Sequence, residues 1–241
     1  MKRPDYLNSE NNEPVARSIP VDQYQADTGS NAVAPDAQKV LRNTYALLAM
    51  TLVFSAVVAG ISMMFNAPHP GLLITVVGFY GLLFAIEKTK NSAMGLVFTF
   101  ALTGFMGYTL GPILSVYAQL PNGSALIGTA LGATGLIFLA MSGWVLTTGK
   151  DLSNMGKTLM VGMIVALVMM VASIFLNIPA LSLAVSALFI ILMSAMIAYQ
   201  TSAIIHGGET NYISAAVTLY VSIYNLFLSL LQILGVFGSD D

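Results

Sequence analysis

Apolar residues along this chain gather into seven long stretches, and the polar residues between them fall in short clusters. The stretches cover about residues 44–64, 71–86, 93–117, 125–146, 158–176, 180–205 and 212–237. Between 158 and 205 the chain is almost continuously apolar, and one helix there would be roughly 72 Å long, more than twice a hydrocarbon core of about 30 Å. That run must fold back, and Asn177-Ile178-Pro179 is its one place with turn chemistry. In the last stretch Ser214, Thr218, Ser222, Asn225, Ser229 and Gln232 recur at helical spacing and share one face. A polar face in hydrocarbon is unfavourable unless other helices or water cover it. The pattern therefore predicts an all-α polytopic membrane protein of seven transmembrane helices, with the last helix central in the bundle. Serine and threonine can instead bond back to their own backbone and simply permit close packing. Asn225 and Gln232 tip the reading toward an interior stripe, because their amides need partners beyond the helix.

Composition agrees with the pattern. Of 241 residues, 56% are hydrophobic and 8% charged, where soluble domains carry about 25% charged residues. The net charge of −2 and the lack of a basic run speak against nucleic acid, and the absence of cysteine removes disulfides, thiolate nucleophiles and cysteine zinc sites. Residues 1–38 differ in kind. They hold Pro4, Pro14 and Pro20 with many Asn, Asp and Gln and no apolar run, so they are expected to form a disordered tail. The first apolar stretch starts too late and runs too long for a cleaved signal peptide, so this tail is expected to stay on the mature chain. It is either an idle terminus or a handle that another protein grips.

Charge then orients the bundle. Lys39 and Arg42 precede the first span, Lys88 and Lys90 lie between the second and third, and Lys150 and Lys157 between the fourth and fifth. The loops on the other side carry no Lys or Arg, which by the positive-inside rule puts the amino terminus in the cytoplasm and residues 239–241 in the periplasm. Small-residue pairs such as Gly107 and Gly111, Gly128 and Gly132, and Ala56 and Gly60 argue helix packing. Pro112 either breaks the third span into half-helices or is accommodated as a packed kink.

The residues offer little chemistry for catalysis. No His-Glu-x-x-His or Gly-x-Ser-x-Gly occurs, the two histidines, His69 and His206, fall on opposite sides, and the carboxylates Glu87, Asp151 and Glu209 all lie at the ends of spans. Neither an enzyme nor a metal or cofactor site is expected. Glu209, just before the last helix, suits its positive end or an ion gate. His206 is a polar residue at a helix end or a sensor of acidity.

Longer signatures run through the sixth and seventh spans. They read Tyr199-Gln200-Thr201, Ile204-Ile205-His206-Gly207-Gly208-Glu209-Thr210-Asn211-Tyr212-Ile213, and Leu219-Tyr220-Val221-Ser222-Ile223-Tyr224-Asn225-Leu226-Phe227. Together with Lys39-Val40-Leu41-Arg42-Asn43-Thr44-Tyr45, Gly111-Pro112-Ile113-Leu114 and Val145-Leu146-Thr147-Thr148, they resemble the Bax inhibitor 1 family of seven-span proteins over about residues 39–235. The resemblance implies two functions. In the broad family it implies a calcium leak gated by protons through two aspartates, whose matching positions are Gln200 and Ser222. Neither residue ionises in the physiological range, so the expectation is a hydrogen-bonded Gln200–Ser222 pair at the centre of a gate that includes Thr218, Asn225 and Ser229, with calcium or protons as the species passed. The likeness is greatest to a bacterial branch, which implies a substrate-like modulator of FtsH, the membrane-anchored ATP-dependent zinc protease of the inner membrane. On that reading the tail, with Met1, Lys2, Arg3 and Arg17, is the handle that the protease holds.

Overall fold

The computed structural model describes residues 34–238; the expected handle, Met1, Lys2, Arg3 and Arg17, and the end at 239–241 lie outside them. The described residues form seven helices and no strands: α1 Pro35–Met64, α2 Leu72–Thr89, α3 Ala93–Ala118, α4 Gly123–Thr148, α5 Met155–Leu176, α6 Pro179–Ile205 and α7 Tyr212–Phe237. Each is long and apolar enough to cross a membrane. The fold is a seven-helix, multi-pass membrane bundle.

Local chemistry sets the helix limits. Proline occupies the first turn of α1 and of α6, where its missing N–H has no partner to lose. Asn177 ends α5 and Gly149 ends α4, both in the left-handed conformation. Asn211 caps α7, its side-chain oxygen accepting from the N–H groups of Ile213 at 3.0 Å and Ser214 at 3.1 Å. One limit differs clearly from expectation. Helix α1 begins at Pro35, so residues 35–38, expected in the tail, form its first turn, and Lys39 and Arg42 are helical. A hydropathy reading starts where apolar residues start, whereas the helix needs only backbone bonds and a compatible first turn.

Helix α3 runs without a break through Pro112. Proline cannot donate to the carbonyl four residues back, which here belongs to Tyr108. Ser62 of α1 supplies the missing donor, its hydroxyl reaching that carbonyl at 2.9 Å. Neighbouring Gly111 makes room, since a β-carbon there would lie 2.4 Å from the Ser62 side chain, and one at Gly107 would lie 2.4 Å from the Ser55 carbonyl. Close backbone approach at small residues, rather than hydrophobic exclusion, holds helices together in lipid. The other expected small pairs behave differently. Gly128, Gly132 and Gly60 have no neighbouring atom within 4 Å of a β-carbon position, so they do not mediate contacts within this bundle.

Helix α7 is the centre, contacting α1, α3, α4 and α6. Leu219, Leu226 and Leu231 are fully buried along it. By contrast α2 rests on α3 and α5 rests on α6. Both leave most of their surface to the surrounding medium.

Candidate functional site

The polar side chains of α7 divide into two rows that meet different surroundings. One row faces α1 and α3. Tyr220 and Tyr224, four residues apart, are both buried. The Tyr220 hydroxyl pairs with Ser55 Oγ at 2.7 Å and lies 3.4 Å from the Thr103 carbonyl, and the Tyr224 hydroxyl pairs with Thr109 Oγ1 at 3.2 Å. Hydropathy counts tyrosine with the apolar residues, so this row was not foreseen. Its signal was the i, i+4 repeat of phenols that need a partner when buried.

The second row contains Ser214, Thr218, Ser222 and Asn225, and most of its bonds stay within α7. Ser222 Oγ donates to the Thr218 carbonyl at 2.8 Å and Asn225 Nδ2 donates to the Val221 carbonyl at 2.8 Å. The expected pairing of Asn225 with another helix is therefore not made. A serine hydroxyl or asparagine amide reaches the carbonyl one turn back without leaving its own helix. Gln232 does bridge: its amide nitrogen meets Ser182 and its oxygen accepts from Ser186 at 2.8 Å, both on α6. Ser229 is buried. Thr218, Ser222 and Asn225 line a cavity of about 480 Å³ between α2, α5, α6 and α7.

Nor is the Gln200–Ser222 hydrogen bond present. Gln200 is buried and its Nε2 has no partner, while the Ser222 hydroxyl is committed to its own helix. Around Gln200 the polar contacts run through Thr201, whose Oγ1 lies 3.2 Å from Ser142 Oγ and 3.4 Å from the Tyr45 hydroxyl. Thr44 Oγ1, on α1, is likewise buried without a partner.

At the end of α6, Ser202 and His206 fasten the loop between α4 and α5. Ser202 Oγ donates to the Lys150 carbonyl at 3.1 Å and accepts from the Leu152 N–H at 2.9 Å. The His206 ring lies between two carbonyls, Nδ1 being 2.9 Å from that of Ser202 and Nε2 3.1 Å from that of Gly149. In the same loop Asp151 accepts from both the N–H and the hydroxyl of Ser153, and these bonds hold its carboxyl below its ordinary range. Glu209 does not cap α7 directly; its Oε1 accepts from the N–H of Asn211, the residue that does. Asn211 was missed as a site residue. Its amide also donates to the Lys90 carbonyl at 3.1 Å and to Asn91 at 2.8 Å, tying the α6–α7 turn to the α2–α3 turn. There Glu87 and Lys90 form an ion pair at 2.6 Å, which raises the Lys90 ammonium above its ordinary value. His206 and Glu209 share a cleft of about 690 Å³ with Asp36 and Lys39 of α1. Among the described residues no group of three or more His, Asp or Glu is placed to hold a metal ion.

Comparison with known proteins bears on what such a bundle does. A family profile described as inhibitor of apoptosis-promoting Bax1 matches residues 37–239. The chain is 56% identical over 203 residues to the modulator of FtsH protease YccA of Escherichia coli (strain K12), covering 84% of this chain and 92% of that protein. It is 54% identical over 219 residues to an uncharacterized protein of Pseudomonas aeruginosa, covering 91% of this chain and 98% of the relative. An uncharacterized membrane protein of Vibrio cholerae is 43% identical over 207 residues, covering 86% of this chain and 93% of the relative.

Proposed function

The chain belongs to the family of inhibitors of apoptosis-promoting Bax1, and from that premise we propose that it binds and slows FtsH in the bacterial inner membrane as a poorly degradable, substrate-like partner. The observation that carries the reading is the 56% identity to the Escherichia coli protein named for that modulation, along 92% of its length. The bundle's construction suits the task. A protease that pulls a membrane substrate out of the bilayer must undo interhelical contacts with no water to replace them. Here the central helix is held on several sides, by Ser55 and Thr109 through its tyrosines and by Ser182 and Ser186 through Gln232. Engagement is easy and extraction slow, so the protease stays occupied.

In this reading the amino terminus faces the cytoplasm, supported by Lys39, Arg42, Lys88, Lys90, Lys150 and Lys157 at the same ends of successive helices. The segment ahead of α1, including Met1, Lys2, Arg3 and Arg17, is what the protease grips. The protein itself performs no catalysis. Nothing in the polar row recommends an ion leak over this reading: Gln200 and Ser222 carry no carboxylate for calcium and share no hydrogen bond. Co-purification from membranes tests the contact. The full chain is expected to bring down the protease and a chain lacking residues 1–33 to lose it. Equal recovery of both would remove the tail from the mechanism, and recovery of neither would remove the partner.

A further inference from the structure

Beside the open row of α7 lies a cavity of about 480 Å³ that the proposed function does not use. It lies at membrane depth between α2 and α5, helices that rest on α3 and α6 respectively. Its walls include Phe79, Phe189, Met163, Met193 and Met196, and its floor is Thr218, Ser222 and Asn225. Methionine side chains adapt to varied apolar shapes, and about 480 Å³ falls within the range of small-molecule sites. A second cavity shares Tyr80, Leu83, Val217 and Thr218 with the first and reaches Ser214 and Glu87 at the helix ends. The two make one lateral path along α7. From Ser214 to Asn225 it runs about 16 Å at about 1.5 Å per residue.

Three features define the occupant. No ionisable side chain other than Tyr80 lines the deeper cavity, so a charged group there would be buried without a counter-charge. Hydrogen-bonding capacity is left over on the floor: with the Asn225 amide nitrogen committed to Val221, its amide oxygen is left for a ligand. Size excludes a foreign transmembrane helix, since a cylinder about 10 Å wide crossing about 30 Å occupies roughly 2,400 Å³, several times the 480 Å³ present. Hydrocarbon chains gain no hydrophobic energy on leaving the bilayer for an apolar wall, because lipid tails are equally apolar. Retention must come from the polar floor.

We propose that this groove binds an uncharged membrane lipid whose small head carries both hydroxyl and carbonyl groups, of the diacylglycerol kind. The lipid enters sideways between α2 and α5, sets its head between Thr218 and Asn225, and lays a chain along the methionines. This site is independent of the protease reading.

The test uses the full-length protein in phospholipid vesicles containing a photoactivatable diacylglycerol, with crosslinks located by peptide mass spectrometry. Crosslinks are expected on peptides carrying Met163, Met193 and Met196, competed by unlabelled diacylglycerol and not by phosphatidylcholine. The double variant Thr218→Val, Asn225→Leu should lower that yield about tenfold. Val221→Phe, which narrows the cavity and spares the polar row, should lower it as well and serves if the double variant fails to fold. Labelling spread evenly over the outer faces of α1, α2, α4 and α5 would overturn the proposal. So would groove labelling that phosphatidylcholine competes equally, or crosslinks joining the groove to a second protein.

Discussion

The two sides of α7 are built from similar residues and behave in opposite ways. On the side of α1 and α3, Tyr220 and Tyr224 carry their hydroxyls across to Ser55 and Thr109, and Ser62 repairs the backbone bond that Pro112 breaks. On the side that opens between α2 and α5, Ser222 and Asn225 turn back on their own helix, and the Ser214 hydroxyl has no partner. Polar residues in a membrane bundle thus serve two purposes. Those that reach a neighbouring helix lock the fold, while those that bond at home keep a surface available.

Substitutions should separate the two sides. Tyr220→Ala removes a buried ring and strands the Ser55 hydroxyl, and is expected to lower unfolding stability by about 3–5 kcal/mol, read from denaturant titration in detergent micelles. Ser62→Ala leaves the Tyr108 carbonyl without a donor and should cost about 1–2 kcal/mol. Tyr220→Phe keeps the ring and loses only its bonds to Ser55 and Thr103, for about 1 kcal/mol. On the open side, Ser222→Ala should change stability by less than about 0.5 kcal/mol, because the lost bond is local to α7. A cost at Ser222 equal to that at Tyr220 would erase the distinction. The smallest effect lies at the loop surface. Asp151 has a carboxyl held below its ordinary value of 3.8 by Ser153, so its contribution is present above that value and fades as pH falls through the lower folded value. Melting curves of the wild type and Asp151→Asn should therefore converge in acid below about pH 4 and separate slightly above it.

How much of this could be read in the sequence follows the same division. The hub position of α7 was legible because a run of polar residues in a long apolar helix demands company. The partners were not. Spacing shows that Gln232 and Asn225 share a face, yet Gln232 meets Ser182 and Ser186 on α6 while Asn225 bonds within its own helix. Which of these occurs depends on how close a second helix comes, and no single helix encodes that. The matching positions Gln200 and Ser222 suggested a bonded pair, but a local carbonyl competes for the Ser222 hydroxyl and wins. The tyrosine row escaped notice because a phenol is apolar by area and polar only at its tip. Asn211 stood in plain view before the last helix, as a cap residue should, but its hold on Lys90 and Asn91 depends on a turn some 120 positions away.

The central claim is that a bundle whose central helix α7 is locked to its neighbours occupies the protease without being readily consumed. The direct measurement is the degradation rate of a defined membrane substrate by purified FtsH in proteoliposomes, with this protein added in increasing amounts. The account predicts dose-dependent slowing of the substrate's loss while this protein itself disappears slowly, and faster loss of the Tyr220→Ala variant with weaker slowing. An unchanged rate at every dose would contradict it.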